Sequence, residues 1–97
     1  MEIIWTNPTK RDLRKIFQYY KNKVSKNVAD KIINSVFNTT AILKTQNIGV
    51  KEDLLEHLNQ DHRYLVDGNY KIIYFVNNEN NYITHVFDTR QNPVKLK

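Results

Sequence analysis

The segment from Tyr70 to Pro93, YKIIYFVNNENNYITHVFDTRQNP, constrains the fold more than any other part of the chain. Its two halves alternate with the two-residue period of a strand and are rich in the β-branched and aromatic residues that fit a pleated surface. The polar stretch NNENN between them is turn chemistry. Just upstream, RYLVD is separated from the first half by Gly68-Asn69, a second turn signal. Three strands joined by two tight turns make an antiparallel meander. A meander with an apolar face needs a second layer to cover it.

The N-terminal half provides that layer. EIIWT reads as a short strand that stops at Asn7-Pro8. Pro8 suits the first position of a helix, where its missing N–H would have no partner anyway, and Asn7 or Thr6 is placed to cap the next turn. Leu13, Ile16, Phe17, Tyr20 and Val24 then fall on one helical face, with Lys10, Arg11, Arg14, Lys15, Gln18 and Lys21 on the other. Ser25 is the expected N-cap of a second helix, whose buried stripe is Ala29, Ile32, Ile33, Val36, Phe37, Thr40 and Leu43. Helices joined by so short a link lie antiparallel. Past Leu43 the pattern breaks: Gly49 marks a turn in KTQNIGV, and KEDLLEHLNQ reads as a short helical or irregular connection. The first strand has no hairpin mate and is expected to join the meander. The expected fold is α+β, an antiparallel sheet of about four strands packed against an αα-hairpin.

With 97 residues, 40% of them apolar, the chain fits one domain spanning residues 1–97 with one core. Fifteen Lys and Arg against ten Asp and Glu leave a net charge of +5, which biases the surface toward polyanions or acidic partners. No apolar run reaches the roughly 18 residues of a membrane span and no signal-peptide pattern opens the chain, so no membrane partner and a cytoplasmic location are expected. Without cysteine there is no disulfide framework, thiolate metal site or cysteine nucleophile. His57, His62 and His85 lack the spacing of a helical metal pair, and neither metal nor cofactor is expected.

The order of these elements, with GNYKIIYFV and ITHVFDTRQNP in their places after a helical hairpin, resembles the RelE/ParE superfamily of bacterial toxins, most closely its ParE-like members. The resemblance implies the toxin half of a type II toxin–antitoxin pair, held inactive by a cognate antitoxin protein that wraps it. ParE-like members act on DNA gyrase; RelE-like members cleave messenger RNA in the ribosomal A site without a metal.

RelE-like cleavage requires a base for the ribose 2′-OH, cations on the phosphate and an acid for the leaving oxygen. Aligned on YKIIY, the family's strand Arg becomes Lys71, its two strand lysines fall on His62 and Tyr64, and the Arg after the last strand is kept as Arg90. The terminal Tyr or His position falls near Leu96. The resemblance therefore favours ParE-like action without intrinsic catalysis. Under the alternative, a ribosome-dependent RNase, His62 is the candidate base and Lys71 and Arg90 the phosphate clamps. A third class is a non-toxic nucleic-acid-binding module; against it stand the missing aromatic pair on adjacent sheet strands in an RNP-like context and the absence of a Gly-X-X-Gly loop. Candidate contacts to target or antitoxin are Arg90, Lys71, Arg11, Arg14 and Lys15. The competing reading for Arg90 is an exposed arginine paired with Asp88 or Asp67.

Overall fold

The computed structural model describes residues 2–46, 49–51 and 61–90. Strand β1 (Ile3–Trp5) leads into helix α1 (Asn7–Lys23), helix α2 (Lys26–Thr40) and a 3₁₀ turn over Ala41–Lys44. Strands β2 (Val50–Lys51), β3 (Arg63–Asp67), β4 (Tyr70–Asn77) and β5 (Asn80–Asp88) follow. They form one five-stranded sheet in the order β1-β5-β4-β3-β2. The meander is antiparallel, while β1 runs parallel to β5, with Ile4 opposite Tyr82.

The strand count corrects the expected four. Val50 and Lys51 pair with Tyr64 and Arg63, inside the stretch read from sequence as irregular. A two-residue strand is too short for alternation to reveal it. Most of KEDLLEHLNQ, residues 52–60 and with them His57, lies outside the described residues, as does the tail 91–97.

The two helices cover one sheet face. Val36, Leu43, Leu65, Tyr70, Ile72, Tyr74, Ile83 and Val86 form the core, with Ile3, Trp5, Leu13, Ile16, Tyr20 and Ile32 packed on it. Burying each large side chain contributes on the order of 1.5–3 kcal/mol. On the opposite face Ile73 is fully buried between Tyr64 and Phe87. Both faces stay in phase because Ile73 pairs with His85 but Tyr74 with Ile83, a bulge that leaves Thr84 as the extra residue.

Helix ends follow their side chains. The Ser25 hydroxyl accepts from the Val28 N–H at 3.2 Å, as expected of an N-cap. Thr6 is the N-cap of α1 but makes no side-chain cap bond. Its hydroxyl donates instead to the Ile83 carbonyl at 2.7 Å, which also accepts from the Thr9 hydroxyl, so the start of α1 is pinned to β5. Phe37, placed by spacing in the buried stripe, is 42% exposed and meets Trp5 edge-to-face at 4.8 Å.

Both hairpin turns need left-handed backbone. Gly68 takes φ 59°, which glycine adopts at no steric cost. At the other turn Asn78 and Glu79 take φ 51° and 66°, the pattern of a type I′ turn. Asparagine tolerates this region, but glutamate is strained there. Glu79→Gly is therefore expected to stabilise the protein by about 0.5–1 kcal/mol, after allowing for the freer unfolded chain. A higher urea midpoint at unchanged slope checks it; an equal or lower midpoint refutes the strain.

Candidate functional site

Arg90 lies just past β5. Its Nε donates to Asp88 Oδ1 at 2.9 Å, its Nη2 reaches the other carboxylate oxygen, and its backbone N–H donates to Oδ1 at 2.8 Å. The Arg90 side chain is 62% exposed and the Asp88 side chain 14%. The hydrogen bonds from Arg90 hold the Asp88 carboxyl below its usual range, and the same contact, helped by the Tyr20 hydroxyl, raises the guanidinium pKa further. Asp88 is the cross-strand partner of Tyr70, whose side chain belongs to the core. Burial, and then the neighbouring Tyr20 hydroxyl, push the Tyr70 phenol well above its ordinary value. Arg90 is thus bound on the helix-covered side of the sheet, in the company of Asp88, Tyr20 and Tyr70. Asp67 is engaged elsewhere, accepting from the Ser35 hydroxyl at 2.9 Å.

Lys71 occupies the other face. It pairs with Phe87 across β4 and β5, and its ammonium sits 4.2 Å from the centre of the Tyr64 ring. His62 is 4% exposed and meets Phe75 edge-to-face at 5.2 Å. Phe75 in turn stacks on its cross-strand partner Tyr82 at 5.3 Å. An aromatic pair on adjacent strands therefore exists, although the sequence offered no RNP-like context for it; both rings are half-buried. Phe75, opposite His62, stands four residues along β4 from Lys71, about 13 Å of strand rise. Lys71 and Arg90 lie on opposite faces, so the three residues do not surround one point.

Arg11, Arg14 and Lys15 are exposed along α1, as spacing implied. Asp12, on the same helix, points the other way: its carboxylate accepts the Val86 N–H at 3.1 Å, on the edge of β5 beyond the end of β1. Burial raises its pKa against the opposing pull of that hydrogen bond and of His85. His85 is lowered, chiefly by burial. Sequence reasoning passed over Asp12 because its partner is a backbone amide 74 residues away.

A second surface was also missed. Between β1, α2 and the 3₁₀ turn a groove of about 430 Å³ is lined by Glu2, Ile3, Trp5, Phe37, Ala41 and Lys44. The one available signal was an aromatic residue at a stripe position next to a strand that must end a sheet.

These elements define a class: a small basic domain with a helical hairpin on one face of a mostly antiparallel sheet and a short arginine-bearing segment after the last strand. The sequence profile of the ParE toxin of type II toxin–antitoxin systems, parDE, matches residues 3–93, and the chain belongs to that family. Among solved structures, the chromosomal ParDE toxin–antitoxin system from P. aeruginosa contains a chain of the same fold, with a TM-score of 0.78 and 17% identity over 91% of this chain and 95% of that one. No curated protein sequence matches the chain. Among the described residues no helix is long and apolar enough to cross a membrane.

Proposed function

We propose that this ParE-family chain arrests bacterial growth in the cytoplasm by binding DNA gyrase, and that a cognate antitoxin neutralises it. Family membership over residues 3–93 supports the toxin reading. The observation that carries the choice of target is the engagement of Arg90 with Asp88 on the face opposite Lys71. A phosphate held in a cleavage site needs its cations on one side and a base within about 3 Å of the proton it takes. An exposed, rigidly held guanidinium suits a protein contact instead, where arginine is over-represented among anchoring residues. Exposed Phe37 and the groove beside it, with Val50 and Val66, offer the apolar surface that a flexible antitoxin segment can cover.

The test is a supercoiling assay with purified chain and gyrase. Inhibition is expected, relieved by the antitoxin. Arg90→Ala is expected to weaken inhibition by roughly tenfold, the loss of about 1.4 kcal/mol of contact energy. Arg90 is exposed, so its removal leaves the core intact. In cells, induction should arrest growth with a DNA-damage response. Unimpaired supercoiling in the presence of folded protein overturns the gyrase reading.

A further inference from the structure

The charge of this protein is concentrated in one element. Helix α1 holds six Lys and Arg and one acid, so its net charge of +5 equals that of the whole chain, and the remaining nine cations and nine acids cancel. The single acid, Asp12, is turned inward onto the Val86 N–H. At 100° per residue, Lys10, Arg11, Arg14, Lys15 and Lys21 fall within an arc of about 140°. The other side chains in that arc are the amides Asn7, Gln18 and Asn22, all exposed. The arc holds no acid and no apolar residue. Among the described residues none of its five cations forms an ion pair, whereas Lys26, Arg63 and Arg90 each do.

From this face we infer a second binding activity: α1 docks on the phosphate backbone of duplex DNA, without reading sequence. Composition selects the partner. Stable protein interfaces are anchored by apolar and aromatic side chains and are depleted in lysine at their centres. Here the exposed apolar residues Val24, Phe37, Ile42, Val50, Val66 and Val76 all lie outside the arc, Val24 at the C-cap of α1, and within α1 only Tyr19, just beyond the margin of the arc, is a large exposed hydrophobe. Lysine, arginine and amide side chains are what phosphate oxygens accept from. Single-stranded RNA is recognised largely by stacking on aromatic rings, which this arc does not provide, and a duplex offers the denser line of charge. Such contact would raise the local concentration of the protein on the substrate of gyrase, yet it requires no gyrase.

The experiment measures binding of the full chain to a fluorescent 20-base-pair duplex of arbitrary sequence, with no gyrase present. Binding in the micromolar range at 50 mM salt is expected, weakening roughly 100-fold by 200 mM if about four phosphate contacts form. Arg11→Gln/Arg14→Gln is expected to weaken binding at least ~10-fold and to lower the salt slope by roughly two. Both positions are exposed, so circular dichroism and the urea midpoint should be unchanged. No binding at 50 mM, binding indifferent to salt or to the double substitution, or tighter binding to a single-stranded RNA or a poly-glutamate peptide of equal charge each overturn the assignment. A chain that inhibits supercoiling but fails here refutes only the DNA contact; one that binds DNA while leaving gyrase active refutes only the proposed target.

Discussion

Gly49→Ala is expected to destabilise the protein by roughly 2–4 kcal/mol, through overpacking plus disturbance of a buried hydrogen bond. Gly49 is buried immediately before β2 and its backbone is outside the left-handed region, so conformational freedom is not what the position requires. Space is. A Cβ there would come within 2.8 Å of Tyr74 Cζ, within 2.6 Å of Cε1, and closer still to the phenolic oxygen. Tyr74 is fully buried and cannot swing away. The same hydroxyl accepts the Gly49 N–H at 2.9 Å, and the Gly49 carbonyl accepts from Arg63 Nη1 at 3.0 Å, so displacement would strain both contacts. For a domain of this size each kcal/mol lowers the melting temperature by about 4–8 °C. Tyr74→Phe removes the closest atom, so Gly49→Ala should cost less in a Tyr74→Phe background than in the native one; strict additivity would refute the steric account.

Gly49 also shows where sequence reading stops. In KTQNIGV it signals a turn, because glycine among polar residues usually does. What the fold asks of it is set by a tyrosine 25 residues further on, and no local pattern carries that information. The meander and the hairpin were legible because alternation and 3.6-residue spacing are local consequences of which face is buried. Even so, spacing alone overstated the buried stripe of α2, since the sheet ends at β1 and leaves Phe37 at the rim. The candidate cations were identifiable by type, and the Asp88–Arg90 pair by proximity in the chain. That Lys71 and Arg90 face away from each other follows from register: neighbours on a strand point to opposite faces, and Tyr70 and Lys71 carry Asp88 and Phe87 with them.

Register also bears on the largest expected effect, the absence of ribosomal cleavage. Messenger RNA on programmed ribosomes is expected to stay intact when the purified chain is added, at concentrations that inhibit supercoiling. A nuclease without a positioned acid or base loses on the order of 10²–10⁴-fold in rate, enough to make cleavage too slow for growth arrest. Of the candidate groups, His62 is 4% exposed against Phe75, Lys71 lies over the Tyr64 ring and Arg90 is bound to Asp88 on the far face. Bringing all three to one scissile phosphate would require breaking the Asp88–Arg90 contact and carrying the arginine around the sheet edge. The informative substitution is His62→Gln rather than His62→Ala, because truncating a buried ring opens a cavity and confounds chemistry with stability. His62→Gln is expected to leave toxicity nearly unchanged once equal amounts of folded protein are compared. Rapid A-site cleavage by the native chain, lost in a folded His62→Gln variant, would overturn this and make His62 the base of an RNase with Lys71 and Arg90 as its phosphate clamps.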